Sequence, residues 1–223
     1  RVQKEYGINV TADNKEVAQK AETIILSVKP QFYESVIADI KDVVTDKQII
    51  ITIAPGKTLA WLAEQFGKDV KIVRTMPNTP AMVGEGMTAA CPNEHMTEEE
   101  IAYVKTILES FSRVEVVPEK LMDAVTAVSG SSPAYVYMMI EAMADAAVSG
   151  GMPRPQAYKF AAQAVLGSAK MVLETGKHPG ELKDMVCSPA GTTIEAVRTL
   201  EELGFRSSII EAMKVCEEVS KSM

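Results

Sequence analysis

The sequence predicts an α/β domain with a parallel β-sheet over residues 1–118, followed by an all-helical domain over residues 119–223. Strand-like apolar runs alternate with helix-like segments as far as Pro118, and this βαβα order is typical of a parallel sheet covered by helices. From Leu121 onward the pattern is almost wholly helical, interrupted by glycine and proline. The chain has 223 residues, 47% of them hydrophobic, which is enough for two modest domains with packed cores.

Six strands are predicted in the first domain. Several of them are runs of Ile, Val and Leu with little alternation, which fit strands that are buried on both faces of a sheet. Most runs end at a polar or proline-containing segment that would stop a strand. In chain order the predicted strands cover residues 8–10, 23–28, 48–53, 71–76, 87–91 and 114–117.

Helical spacing of apolar residues between these strands predicts the helices that connect them. Val36, Ile37 and Ile40, for example, recur on one side of a helix predicted for residues 31–44. The other predicted helices of this domain cover residues 16–20 and 59–66, and one begins near Thr97.

The helical domain is rich in small and flexible apolar residues. Alanine and methionine recur through residues 138–147, and Gly151 followed by Pro153 predicts a turn between two helices. An apolar helical surface of this size often needs a second chain to cover it. We therefore expect a homodimer built through this domain, which could assemble further into a larger homo-oligomer.

Composition argues against several classes of function. The formal net charge of −7 disfavours nucleic acid as a partner, because nucleic-acid binding needs a clustered basic face. No apolar run is long enough to span a bilayer and no signal peptide is visible, so no membrane partner is expected. Three cysteines without metal-ligand or redox spacing suggest reduced thiols in a cytoplasmic protein. With only two histidines, we expect no metal site.

The turn at residues 188–193 is the most informative segment of the sequence. It places hydroxyls, a proline and a glycine directly before a helical pattern, and a helix N-terminus leaves backbone N–H groups unpaired. Such a terminus is a natural site for a small anion, to which Ser188, Thr192 and Thr193 can add hydroxyl donors and Gly191 a close backbone approach. The alternative is that Ser188 or Thr192 is simply the N-cap of the helix.

Three predicted strands are followed by unusual segments. These are Val28-Lys29-Pro30 after the second strand, Ala54-Pro55-Gly56 after the third, and Met76-Pro77-Asn78-Thr79-Pro80 at the end of the fourth. In an open parallel sheet, ligands bind beyond the carboxyl ends of the strands. The two prolines of the third segment would hold Asn78 and Thr79 rigidly where a ligand could meet them.

Together these segments resemble the pyrroline-5-carboxylate reductase family. The motifs that carry the resemblance are Val-Lys-Pro, Met-Pro-Asn-Thr-Pro, a Ser-Gly-Ser-x-Pro-Ala stretch at residues 129–134, His-Pro-Gly at residues 178–180 and Ser-Pro-x-Gly-Thr-Thr at residues 188–193. Small departures are Ala190 and Ser132, which stand where the family often has glycine, and we expect them to change loop geometry only slightly.

The resemblance implies a Rossmann-like first domain and NAD(P)H-dependent reduction of 1-pyrroline-5-carboxylate to L-proline, the last step of proline biosynthesis. Hydride would come from NADPH or NADH, with the protein mainly positioning and polarising the imine. The site would form where the cofactor residues of the sheet domain meet the substrate residues of the helical domain, which could belong to the partner chain.

Residue roles follow from the same resemblance. Thr193 is the candidate proton relay and therefore the predicted catalytic residue. The substrate carboxylate would be bound by Ser188, Gly191, Thr192 and Thr193. The predicted cofactor contacts are Asn14, Val28, Lys29, Pro30, Ala54, Gly56, Met76, Pro77, Asn78, Thr79 and Pro80.

One expected motif does not occur in this sequence. The family's dinucleotide site needs a glycine-rich G-x-G-x-x-G turn after the first strand, and these 223 residues contain no such turn. We therefore expect that the sequence begins inside a larger protein and lacks the first strand–helix–strand unit. If that unit were truly absent, cofactor binding should be severely weakened. The residues that would decide between NADP and NAD fall in the same missing unit.

Two alternatives remain open. One is another reductase of similar architecture, such as a β-hydroxyacid dehydrogenase-like enzyme, which would need a catalytic lysine on a helix of the second domain. Lys159, Lys170 and Lys183 are available there, but none lies in a matching motif. The other is a truncated, dimerising fragment without activity.

Overall fold

The computed structural model describes residues 1–222 and divides into two compact units. The sheet unit comprises Arg1–Ser131 together with the end of the last helix from Cys216 onward, and the helical unit comprises Ser132–Val215. An α/β unit and an all-helical unit are the two kinds of structure that the sequence predicts.

A five-stranded sheet in the order β1-β2-β3-β4-β5 forms the centre of the sheet unit. The first three strands are parallel, and Leu26, Thr52 and Arg74 lie side by side in their register. The strands are β1 (Thr23–Leu26), β2 (Ile49–Thr52), β3 (Lys71–Met76), β4 (Gly86–Pro92) and β5 (Ser112–Val116).

Strand β4 departs from the predicted parallel order. It runs antiparallel to β3, and β5 then runs parallel to β4. A parallel pair needs a crossover of a dozen or more residues, usually a helix. Only residues 77–85 connect β3 to β4, and they contain a single short 3-10 turn (Thr79–Val83), so the chain turns back on itself. Hydrophobic periodicity predicts that a segment is a strand but not the direction in which it runs, so the sequence did not reveal the reversal.

The helices of the sheet unit lie between its strands much as predicted. The exception at the start of the chain is residues 8–10, which form a loop, so the predicted first strand is wrong. The predicted helix at 31–44 is shorter than expected, because a 3-10 turn (Pro30–Phe32) precedes it and a turn follows it. The helices are α1 (Val2–Tyr6), α2 (Asn14–Lys20), α3 (Tyr33–Ile40), α4 (Leu59–Phe66), α5 (Glu98–Leu108) and α6 (Met122–Val125).

The sheet unit has a well-filled apolar core on both faces of the sheet. One face packs residues such as Ile50 and Ile72 against Ile37 of α3 and Leu62 of α4. The other packs Ile51 and its neighbours against α5. Both Ile50 and Ile51 are completely buried, as expected for a strand covered on two sides.

The helical unit is built on a helix pair. Its longest helices, α7 and α8, pack against each other, and the side chains buried there are the alanines Ala144, Ala157 and Ala161. Alanine lets two helices approach closely but fills little volume. The helices are α7 (Ser132–Ser149), α8 (Arg154–Thr175), α9 (Pro179–Met185), α10 (Thr192–Glu202) and α11 (Phe205–Lys221).

Large apolar side chains remain on the surface of the helical unit. Met138 is 68% exposed, Phe160 67% and Leu203 77%. Among residues 1–222, no helix combines the length and apolarity that crossing a bilayer requires.

Candidate active site

The ends of strands β1, β2 and β3 meet at one edge of the sheet. These strands are parallel neighbours, so the segments that follow them leave the sheet side by side. The structure therefore brings together residues 28–30, 54–56 and 76–80, the three segments that the sequence predicts to meet a ligand. We call the edge that they form the ligand edge. This edge is where ligands bind in open α/β sheets.

Tyr33 joins the ends of β1 and β2 at this edge by hydrogen bonds. Its side chain is completely buried. The Tyr33 hydroxyl donates to the carbonyl oxygen of Leu26 at 2.6 Å, and the hydroxyl oxygen accepts from the backbone N–H of Ile53 at 3.1 Å. Burial raises the pKa of the Tyr33 phenol, which keeps the hydroxyl in its donor form. The tyrosine thus spans β1 and β2 just where they separate. Sequence reasoning missed this residue because a tyrosine in an amphipathic helix is indistinguishable from ordinary core.

The predicted cofactor contacts of β1 and β2 divide into exposed and core residues. Lys29 is exposed, and no ion pair holds it within the part of the chain described. Gly56 has φ of +73°, a conformation that L side chains rarely adopt. The side chain of Ala54 is buried and that of Val28 packs against the core, so both present mainly backbone at the edge. Pro30 starts the short 3-10 turn before α3.

The Met76–Pro80 stretch of the sequence is held more tightly than the other two segments. Met76 is buried, whereas Thr79 is exposed. The side-chain amide of Asn78 is engaged at both ends: its oxygen accepts from the N–H of Met87 at 2.9 Å, and its nitrogen donates to the carbonyl of Ser129 at 3.1 Å. Pro77 and Pro80 flank this anchored asparagine and are both half-buried.

Asn14 lies on the first turn of α2, not in a loop. Its side-chain nitrogen donates to a carboxylate oxygen of Asp39 on α3 at 3.2 Å, and the residue is exposed. In this structure its amide joins two surface helices.

An ion pair between a buried arginine and a partly exposed glutamate lies behind the edge. Arg74 of β3 is only 5% exposed, and its guanidinium donates to the Glu119 carboxylate at 2.8 Å. The same carboxylate oxygen accepts from the N–H of Leu59, the first residue of α4, at 2.7 Å. Arg74 is therefore not a solvated residue near the end of its strand. Glu119 was missed, because a single glutamate after a proline carries no signal of its own.

The turn at residues 188–193 lies in the helical unit and leads directly into α10. Gly191 is the N-cap residue of that helix and provides no side-chain cap. Within the described residues, the hydroxyls of Ser188, Thr192 and Thr193 make no hydrogen bond. The interpretation of Ser188 or Thr192 as an ordinary N-cap is therefore wrong, because neither side chain accepts from the helix N–H groups. The start of α10 offers unpaired backbone donors with free hydroxyls beside them.

The geometry of this turn depends on its smallest residues. The N–H of Gly191 donates to the carbonyl of Ser188 at 3.1 Å, which closes the turn. A Cβ atom at Gly191 would lie 2.4 Å from the Ser188 hydroxyl oxygen, so no larger residue fits with Ser188 in this rotamer. Ala190 has φ of +55° and is the one non-glycine residue with positive φ among those described. An alanine in the left-handed region is strained by about 1 kcal/mol.

Cations near the turn are already paired. Lys183 of α9 contacts the Asp184 carboxylate, which raises the lysine pKa, and Arg206 donates to Glu201 at 2.7 Å. An anion in this turn would therefore be bound mainly by backbone N–H groups and hydroxyls. His178 has a structural role, as its Nδ1 accepts from the N–H of Gly180 at 3.0 Å and so caps α9.

Among residues 1–222, no three or more His, Cys, Asp and Glu side chains are grouped to hold a metal ion. All three cysteines are free thiols. Burial is the main reason that the pKa of Cys91 is raised, so this thiol stays protonated.

Comparison with known proteins gives the chain its relatives. A family model described as "Pyrroline-5-carboxylate reductase dimerisation" matches residues 119–223, and one described as "NADP oxidoreductase coenzyme F420-dependent" matches residues 1–56. The pyrroline-5-carboxylate reductase of Escherichia coli (strain K12) is 57% identical over 219 residues, which is 98% of this chain and 81% of that protein.

Solved structures agree in fold. The pyrroline-5-carboxylate reductase of Coxiella burnetii superposes with a TM-score of 0.92 at 33% identity, covering 99% of this chain and 82% of that one. The Plasmodium falciparum pyrroline carboxylate reductase, solved with NADP bound, gives 0.90 at 34% identity over 98% of this chain and 83% of that one. Identity of this extent over nearly the whole chain places both units in a single family, and the chain belongs to the pyrroline-5-carboxylate reductases.

Proposed function

We propose that the protein reduces 1-pyrroline-5-carboxylate to L-proline with a hydride from NADPH, or from NADH. The observation that carries this proposal is the start of α10, an uncapped helix N-terminus in the family's Ser-Pro-x-Gly-Thr-Thr motif, whose three hydroxyls have no hydrogen-bond partner among residues 1–222. A small carboxylate fits such a terminus in both charge and size. The β-hydroxyacid dehydrogenase-like alternative loses ground, because the relatives that match nearly the whole chain are named for the pyrroline substrate.

The ligand edge of the sheet is the proposed place of the nicotinamide cofactor, which supplies the hydride when bound. The residues present fit such a group. Lys29 is an unpaired cation suited to a phosphate, and Gly56 allows a close approach to the backbone. Thr79 is exposed between two prolines that hold its backbone in place. The proposed contacts are the residues at positions 28–30, 54, 56, 76, 77, 79 and 80 together with Asn14, and Asn78 holds the last segment in place.

The substrate carboxylate would be held at residues 188–193 of the helical unit. Gly191, Thr192 and Thr193 offer backbone N–H groups, and Ser188 with the two threonines offers hydroxyls. Because the nearby Lys183 and Arg206 are paired with carboxylates, recognition would be directional, through hydrogen bonds, and weakly dependent on salt.

Thr193 is the proposed catalytic residue. A protonated imine is a better hydride acceptor, and the hydroxyl of Thr193 could donate a hydrogen bond at the ring nitrogen while its backbone holds the carboxylate. General acid assistance of this kind is typically worth about 10²-fold or more in rate.

We also propose a homodimer through the helical domain, residues 119–223, next to a cofactor domain of residues 1–118, with a larger homo-oligomer as a further step. The exposed Met138, Phe160 and Leu203 support it, since a second chain would cover them. A cytoplasmic location is proposed too, and the three free cysteines fit a reducing compartment.

The direct test uses the full-length protein that contains this chain. It should oxidise NADPH or NADH only when pyrroline-5-carboxylate is present, which is measured as a loss of reduced-nicotinamide absorbance. Proline should appear as the product. Folded protein that turns over neither cofactor with this substrate would contradict the proposal.

Thr193→Val removes one hydroxyl with little change of shape and tests the site itself. We expect kcat/KM for pyrroline-5-carboxylate to fall by about 10²-fold, with an unchanged unfolding midpoint. Lys214→Ala is the control, because Lys214 lies on an exposed turn of α11 and pairs with Glu211. Equal activity of the two variants would remove Thr193 from the mechanism.

A further inference from the structure

We infer that Asn78 is a positioning residue, which acts on the reaction through the π-turn (Thr126–Gly130) and not by touching the cofactor. This inference rests on the proposed function. Its basis is that both ends of the Asn78 amide are already engaged with backbone, at Met87 and at Ser129. An amide with its oxygen and one N–H in use has little left to offer a ligand.

The two hydrogen bonds of the Asn78 side chain have different roles. The bond from the N–H of Met87 closes the reversal between β3 and β4, which is a matter of fold. The bond to the Ser129 carbonyl reaches across 51 residues of sequence to the π-turn. Through it, the segment proposed to flank the nicotinamide is fixed to the family's Ser-Gly-Ser stretch.

The π-turn is an irregular element held from several sides. The N–H of Ser131 donates to the Thr126 carbonyl at 2.8 Å, the wide hydrogen bond of a π-helix. The hydroxyl of Ser129 donates to Val125 at 3.1 Å, and that of Ser131 accepts from the Cys216 thiol at 3.2 Å. Single π-turns are found frequently at functional sites, because they re-aim the backbone without ending a helix.

Gly130 supplies an independent observation. Glycine is disfavoured within helical backbone, so it needs a local reason. Here φ is not positive, and a Cβ atom would meet only ordinary contacts of 3.8 Å with Met76 and Thr126. Nothing within the sheet unit therefore requires glycine at this position. A bound ligand that approaches the backbone would require it, which makes the π-turn a wall of the reductase site.

A matched asparagine exists at the other end of the same strand pair. Asn93 follows β4, its side-chain oxygen accepts from the N–H of Ile72 at 3.1 Å, and its nitrogen donates to the Val70 carbonyl at 2.8 Å. Both asparagines thus hold backbone with both ends of the amide. Only Asn78 does so at the ligand edge, so Asn93 controls for the structural part of the effect.

The test compares Asn78→Asp with Asn93→Asp in the full-length enzyme. Aspartate keeps the acceptor oxygen but loses the N–H donor, and its second oxygen faces a carbonyl. For Asn78→Asp we expect kcat to fall at least about tenfold while the Kd for NADPH, from fluorescence titration, stays within about twofold. Both substitutions should lower the unfolding midpoint by a similar amount. Asn93→Asp should leave kcat within about twofold of the wild-type value.

Three results would overturn the inference. They are an unchanged kcat in Asn78→Asp, a loss confined to NADPH affinity, and an equal loss of kcat in Asn93→Asp. Each is read relative to a wild-type enzyme that reduces pyrroline-5-carboxylate, so failure of the proposed function would be seen separately in the wild type.

Gly130→Ala keeps the experiment decisive if Asn78→Asp does not fold. The added methyl group has room in the sheet unit, so we expect an unfolding midpoint equal to or above that of the wild type. At the same time kcat/KM should fall at least about tenfold, because the methyl group enters the space of the ligand. Wild-type kinetics in this variant would show that the π-turn is not part of the site.

Discussion

The sheet unit and the helical unit bury different kinds of side chain. In the sheet unit the core consists of large residues such as Tyr33, Ile50 and Leu62, all completely buried. In the helical unit the buried side chains are Ala144, Ala157 and Ala161, while Phe160 and Met138 are mainly exposed. Burial of apolar area is the dominant favourable term in folding. The sheet unit therefore gains more stability from its own buried side chains than the helical unit does.

This difference indicates where each unit draws its stability. The sheet unit fills both faces of its sheet from its own residues. The helical unit leaves large apolar side chains such as Phe160 and Met138 exposed, and oligomeric proteins often cover such side chains with another chain. The proposed dimer and the family's dimerisation match over residues 119–223 therefore describe the same physical need.

The largest effect is expected from Leu62→Ala in the sheet unit. Leu62 is completely buried on α4, and truncation leaves a cavity, so the free energy of unfolding should fall by about 3 kcal/mol. Urea denaturation should give this loss at every protein concentration. A loss that shrinks as protein concentration rises would show that the sheet unit, too, depends on association.

The helical unit should respond to Phe160→Asp with a loss of association. A charge on a 67% exposed aromatic costs its own chain little, but in an interface the loss of such an anchor is worth about 2 kcal/mol or more. Sedimentation should show that the dissociation constant of the dimer rises at least about 30-fold. Tyr103→Asp, at an aromatic of α5 in the sheet unit that is 49% exposed, is the control. If both variants remain fully dimeric, the interface lies elsewhere.

A smaller effect is expected at the salt bridge between Lys71 and Glu100. The lysine lies 2.5 Å from the carboxylate and is the main reason that the pKa of Glu100 is lowered. A carboxylate with a lowered folded-state pKa stabilises the protein above its unfolded value of about 4.3, and this contribution is lost as pH falls through the folded value.

Glu100→Gln should therefore destabilise the protein by about 0.5–1 kcal/mol at neutral pH and by nothing once both states are protonated. The measurement is urea denaturation across an acid pH series. Glu99→Gln, at an exposed neighbour in the same helix turn, should show no such pH dependence. A difference that persists at low pH would mean that the Glu100 carboxylate acts through packing and not through charge.

The smallest effect is expected from Ala190→Gly in the turn at residues 188–193. Glycine relieves the strain of φ at +55° but gains freedom in the unfolded chain, so a net stabilisation of less than about 1 kcal/mol is predicted. The KM for pyrroline-5-carboxylate should stay within about twofold. A large rise in KM would mean that the alanine methyl group contacts the substrate.

Periodicity predicted the strands and helices well where a segment had one clear pattern. Residues 59–66 and 71–76 were predicted with the bounds that the structure has, because their apolar spacing matches a single period. Residues 8–10 failed as a strand, since a short apolar run carries no information about a pairing partner. The antiparallel β4 was not foreseen, because strand direction is set by the connection and not by the strand itself.

The sequence shows the motifs of the proposed site but not the residues that hold those motifs in place. Pro77, Pro80 and Gly191 are visible in the sequence because proline and glycine restrict or free the backbone locally. Tyr33 and Glu119 are not visible, because their partners, at Ile53 and Arg74, are distant in sequence. Asn78 was recognised as important, but the residues it binds could only come from the folded chain.

The sequence by itself determined the two-part architecture, the family and the composition of the turn at residues 188–193, since these follow from local patterns of polarity and from short motifs. The tertiary structure decided the direction of β4, the burial of Arg74 beside Glu119, the uncapped start of α10 and the attachment of Asn78 to the π-turn. Each of these depends on contacts between residues that are distant in sequence or on the rotamer that a side chain adopts. Local propensity encodes neither the contacts between distant residues nor the side-chain rotamers, because the packing of the folded chain selects them.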